Sequence, residues 1–123
     1  MNNLMAKAQK FLQSAAVMLE LEDFDSCASR AYFAMFYAAQ AALLRGGTTL
    51  PATQGIRSAF IAEFVENGQY PDRAAKILNR AAELQEVGDY SHEFAVSQEE
   101  AELVLQEAEA FVNSVQNHLL EAA

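Results

Sequence analysis

Cysteine is almost absent. Cys27 stands alone, so no internal disulfide can form, and its neighbours Phe24, Ala28 and Ala31 mark it as a reduced core residue. Long apolar runs are absent too: the longest, residues 31–39, covers nine positions, against the roughly 18 to 20 that a membrane-crossing helix needs. The opening MNNLMAKAQK has no apolar block with a small-residue cleavage site, so a cytoplasmic chain with no membrane association is expected. A Gly-rich phosphate loop, a His-Glu-x-x-His helix, paired-cysteine zinc spacing and a Gly-x-Ser-x-Gly elbow are all missing, which removes most enzyme classes. The two histidines, His92 and His118, are separated by 25 residues, and neither a metal site nor any other cofactor is expected. Basic residues are missing from the last 35 positions, because all eight Lys and Arg lie between Lys7 and Arg80. Eight of the 17 acids lie from Asp89 onward, so this segment holds −8 of the net −9. It repels phosphate backbones, and any nucleic-acid contact must use the earlier part of the chain or a partner's surface.

Apolar residues at helical spacing are what the chain has in quantity. They make up 52% of 123 residues, enough for one core and not for two, so a single domain over 1–123 is expected. No apolar-polar alternation is long enough for a strand, and the fold class predicted is all-α, an antiparallel up-and-down bundle of about five helices. A first helix is predicted over residues 3–21, with a stripe through Leu4, Ala8, Phe11, Leu12, Ala15, Met18 and Leu19 and with Lys7 and Lys10 on the other face. The acids of Glu22-Asp23-Phe24-Asp25 turn the chain into a second helix over 25–45. That helix is apolar on every side, so neighbouring helices or a second copy must bury it, and a homodimer is expected. Gly46-Gly47 ends it. A third helix is predicted over 52–67, closing at Gly68, and a fourth from Pro71-Asp72 to Gly88, followed by a linker over 89–96. Ser97 and Glu100 fit a capping box that opens a fifth helix running to the C-terminus. Its acids Glu99, Glu100, Glu102, Glu107 and Glu109 read as a solvated face.

Arg30, Tyr32 and Tyr37 on the second helix, and Asn79, Arg80, Asp89 and Tyr90 around the end of the fourth, are the candidate functional residues. Arginine holds a phosphate with a forked pair of donors, and tyrosine both stacks on a base and donates a hydrogen bond. The competing reading pairs Arg30 and Arg80 with acids such as Asp89 or Glu83 and makes the tyrosines core residues with hydroxyls at the rim.

Residues 29–39, SRAYFAMFYAA, resemble the signature second helix of a subfamily of HEPN domains. Gly55-Ile56-Arg57 with Phe60 and Phe64, Leu78-Asn79-Arg80-Ala81, Glu83-Leu84, Asp89-Tyr90 and Val96-Ser97 follow in that family's order. The resemblance implies a four-helix core that commonly dimerises and is often encoded beside a minimal nucleotidyltransferase in toxin–antitoxin or defence modules. It also implies, for many members, metal-independent ribonuclease activity through an arginine followed four to six residues later by a histidine. No arginine here is followed by such a histidine. In the subfamily it resembles, an arginine-to-aspartate-tyrosine element takes that place, and here Gln85 stands where that arginine is usually found. Gln85 has no charge with which to stabilise a phosphorane.

Three readings follow. The first is a non-catalytic or weakly catalytic partner of a nucleotidyltransferase, or a nucleotide- or RNA-binding module, using Arg30, Tyr32, Tyr37 and Asn79. The second is a ribonuclease toxin using Arg80, Asp89 and Tyr90. The third is a helical oligomerisation module without a ligand.

Overall fold

Small side chains bring the helices together. In α2 (Phe24–Arg45) the buried positions are mostly alanine, Ala28, Ala31, Ala34, Ala38, Ala39, Ala41 and Ala42 among them. Because the distance between helix axes follows the side chains at the contact, α2 can lie against α1 (Asn2–Glu20), α4 (Asp72–Tyr90) and α5 (Gln98–Glu121) at once. The computed structural model describes residues 2–48 and 55–121, and among these no strand occurs. The chain is all-α, as predicted. Tyr37 meets Phe11 while Arg30 shares a cleft with Ser14, so α1 and α2 are antiparallel. Ser29 meets Asp89, so α4 runs against α2; Arg80 meets Glu107 while Pro71, at the start of α4, lines a cleft with Phe111 and Ser114, so α5 runs against α4. The result is an up-and-down bundle in which α2 and α5 run parallel and close. Arg45 Nη1 donates to the carbonyl of Leu119 at 2.8 Å, joining their C-terminal ends.

The core joins this alanine face to Met35, Leu43, Phe60, Leu78, Val104, Phe111 and Val112, all nearly or fully buried. Cys27 is fully buried with its Sγ towards the carbonyl of Ala101, and burial, with Asp23 adding, pushes the thiol up to about 11. It is a structural thiol, as expected from its neighbours. No helix among the described residues is long and apolar enough to cross a membrane.

Helix ends follow local chemistry. Asp23 caps α2 by accepting from the Ser26 amide at 3.1 Å. Ser97 and Glu100 form the expected capping box, the Ser97 amide donating to Glu100 Oε1 at 3.0 Å and the Glu100 amide to Ser97 Oγ at 3.1 Å. One predicted boundary falls outside the described residues and another needs correction. The start at Ala52 lies outside the described residues; a helix, α3, runs over Ile56–Phe60 after Gly55 (φ 68°) and widens into a π-helical turn over Ile61–Val65. The Glu66 amide reaches back to the carbonyl of Ile61, and the widened turn keeps Phe60, Phe64 and Val65 all buried. The correction concerns Gly88, which does not end α4. A Cβ there would lie 2.7 Å from the backbone oxygen of Asp25, so the glycine serves close packing against the start of α2, and the helix continues through Asp89 to Tyr90.

Candidate functional site

The exposed arc of α2 carries aromatic side chains where a surface helix would carry polar ones. Tyr32, Phe33, Phe36 and Tyr37 are each half-buried, and neighbouring rings meet edge-on or tilted, with centroids 5.1 to 6.4 Å apart. They form a ridge between α1 on one side and α3 with α4 on the other. On the α1 flank Phe11 packs against Tyr37 at 5.2 Å, and Lys7 Nζ lies 4.7 Å above the Tyr37 ring, a cation–π contact. Lys10, Phe11, Ser14, Ser29, Arg30 and Phe33 line a cleft of about 460 Å³ there. On the other flank Tyr32 faces Arg57, whose Nη1 donates to Asn79 Oδ1 at 2.6 Å. Burial raises the Tyr32 pKa above its ordinary value; the charge and hydrogen bond of Arg57 work against that rise, and Glu86 adds to it.

The candidate residues therefore do not form one site. Tyr32 and Asn79 come together through Arg57. Asp89 is held by Ser29, whose hydroxyl donates to Oδ2 at 3.0 Å, and by Gln85, whose Nε2 donates to the same oxygen at 2.7 Å, while Arg30 lies in the cleft between α1 and α2. Tyr37 stands on the ridge under Lys7, and Tyr90 is exposed at the end of α4. Arg80 is not with Asp89 and Tyr90. Nine residues along a helix amount to about 13 Å of rise and about two and a half turns, so Arg80 and Asp89 face opposite sides of α4. Arg80 instead hydrogen-bonds Glu107 on α5, and Arg73 stands 3.7 Å from the same carboxylate.

Glu107 overturns part of the acidic-face reading. It is 5% exposed, with Oε1 buried and without a hydrogen-bond partner, while Glu99, Glu100, Glu102 and Glu109 are exposed as expected. The reason is its position between Val104 and Ala108 on the buried stripe of α5, which turns it towards α4. The expectation that Arg80 pairs with an acid holds, with Glu107 rather than Asp89 or Glu83 as the acid. Among the described residues the only ion pairs are those of Arg73 and Arg80 with Glu107, so the cations flanking the ridge, Lys7, Lys10, Arg30 and Arg57, have no carboxylate of their own. Sequence reading did not count Lys10, Ser14 or Phe33, which line the cleft between α1 and α2, among the candidates, and placed Glu107 on the solvated face. The signal for the first two was present in the helical spacing of Lys7, Lys10, Phe11 and Ser14.

A family model described as HEPN domain matches residues 1–118. A UPF0332 protein of Archaeoglobus fulgidus is 36% identical over 111 residues, covering 90% of this chain and 88% of that protein. A UPF0332 protein of Thermotoga maritima is 30% identical over 110 residues, covering 89% and 83%. A protein of Methanocaldococcus jannaschii named "Putative toxin MJ0142" is 27% identical over 120 residues, covering 98% and 82%.

Proposed function

The chain belongs to the HEPN domain family, and from that premise we propose that it is the non-catalytic, protein-binding component of a toxin–antitoxin module, self-associating through the α2 ridge and pairing with a nucleotidyltransferase. The observation that carries this reading is the separation of Arg80 from Asp89. Metal-independent RNA cleavage needs a base for the 2′-hydroxyl, an acid for the leaving oxygen and a cation for the phosphorane. Here the base and cation candidates point away from each other, and the cation is held by a buried carboxylate. The toxin name of the archaeal relative supports the module, and the ridge supports the partnership.

Incubation of the purified protein with total and structured RNA in chelator is expected to give no cleavage above background. Robust cleavage that disappears in an Asp89→Asn, Tyr90→Phe variant would replace this reading with that of a ribonuclease toxin.

Self-association has its own test. Four half-buried aromatic rings in one patch are an association surface rather than a solvated one, and symmetric pairing is the commonest way to cover such a patch. Sedimentation at micromolar concentration is expected to show a dimer, and Phe36→Lys to show a monomer with unchanged helical circular dichroism. A monomeric parent protein sinks the idea.

A further inference from the structure

We propose that the cleft between the first turns of α4 and the middle of α5 binds a small monocarboxylate with a one-ring apolar body, the ring against Ile77 and Phe111 and the carboxylate on the Tyr70 hydroxyl and Arg73. The cleft shares no residue with the α2 ridge, and neither self-association nor pairing with an enzyme needs it, so this binding goes beyond the proposed function.

Tyr70 is the fixed part of the cleft. Its amide, just ahead of α4, donates to the carbonyl of Phe64 at 3.0 Å. Its ring is set among Phe60, Phe64 and His118, with centroids 5.2, 6.0 and 5.5 Å away. Ala74 and Ile77 on α4 and Ala110 and Phe111 on α5 supply apolar walls, and the alanine on each helix leaves the space between them open. The volume is about 190 Å³. An apolar cavity of about 150 Å³ takes a benzene, so a single ring suits this cleft, which lies below the roughly 300 Å³ at which sites for drug-sized ligands begin.

The polar groups of the cleft select those of the ligand. Tyr70 is 5% exposed, and its hydroxyl is buried with no hydrogen-bond partner among the described residues. Buried polar groups left in that state are rare in folded proteins. Burial pushes the phenol up to about 12, so at neutral pH it keeps its proton and lacks only an acceptor. Arg73, largely exposed at the mouth, stands 3.7 Å from Glu107, a carboxylate that Arg80 already holds. Two arginines and one carboxylate leave one positive charge beside the cleft, which favours an anion there. Ser114 on α5 adds a hydroxyl that can donate as well. No acidic side chain is among the lining residues, so phenol, guanidinium and serine hydroxyl all offer protons. A ligand whose polar atoms only accept, and whose planar group matches the arginine fork, is a carboxylate.

Calorimetric titration of the full chain with phenylacetate is the test, beside acetate, which lacks the ring, and benzyl alcohol, which lacks the charge. Phenylacetate is expected to bind, with acetate and benzyl alcohol each at least about tenfold weaker. Tyr70→Phe and Arg73→Gln are each expected to weaken phenylacetate about tenfold. Ala110→Leu, which fills the cleft from an exposed position, is expected to abolish binding, and Lys76→Gln, on the exposed side of α4, to change nothing. Circular dichroism confirms that each variant is folded. Tyr70→Phe carries a second readout. Because its hydroxyl has no partner, the variant is expected to melt at or above the temperature of the parent in buffer, yet to lose most of the rise that phenylacetate gives the parent. Absence of binding heat at millimolar phenylacetate overturns the inference. So does equal binding of benzyl alcohol, which would make the cleft a seat for an apolar side chain of a partner protein. Undiminished binding by folded Tyr70→Phe overturns it as well, and so does a Tyr70→Phe variant that melts lower than the parent, since the hydroxyl would then already have an acceptor.

Discussion

Replacing Gly88 with alanine is expected to lower the stability of the fold by about 3 kcal/mol, at the upper end of what overpacking usually costs. The added methyl would sit 2.7 Å from the Asp25 backbone oxygen and 3.1 Å from its Cα, so relief requires a backbone shift and not a side-chain rotation. That backbone is not free to move: Asp25 Oδ1 accepts the Val96 amide at 2.8 Å, and Asp23 caps the same helix start. The expected readout is a melting temperature lower by on the order of 10 °C for a chain of this size. The seam between α2 and α4 also positions Asp89 against Ser29, so that contact should loosen with it. A Gly88→Ala variant that melts within 2 °C of the parent would mean that the two helices do not meet at this distance.

Gly88 also shows where the sequence speaks and where it is silent. Glycine after a helical stretch reads as a stop signal, since local chemistry is all that the residue's identity carries. Whether a missing Cβ ends a helix or admits a neighbouring backbone depends on a contact 63 positions away in the chain. The elements themselves were legible because periodic apolar residues, the Asp23 cap and the Ser97–Glu100 box are local. Candidate residues were legible one by one and illegible as a group. Tyr32 and Asn79 meet through Arg57 and Asp89 is held by Ser29, and those partners, Arg57 and Ser29, came from segments read for other reasons. Glu107 was lost among similar acids, because the five glutamates differ only in which side of α5 they occupy, and that angle is set by Val104 and Ala108.

Arg80 and Glu107 give the second large effect, and it bears on function as well as stability. Arg80→Met keeps the apolar stem of the arginine but leaves the Glu107 carboxylate buried, with its Oε1 already unsatisfied and only Arg73 near, at 3.7 Å. Breaking a fully buried pair by removing one partner typically costs about 3 to 5 kcal/mol. Arg80 is 46% exposed, so water can reach part of the gap, and about 2 kcal/mol is the expected loss. Removing both charges with Arg80→Met and Glu107→Leu is expected to restore most of it, since two apolar groups of similar shape leave nothing unsatisfied. Denaturant unfolding of the parent, the single and the double variant, at one pH, measures the coupling. A single variant as stable as the parent would mean that Arg80 is free in solution, available as the cation that RNA cleavage requires, and the case against catalysis would lose its main support. Loss in the single variant and recovery in the double would tie Arg80 to α5 as a structural residue and support the non-catalytic reading.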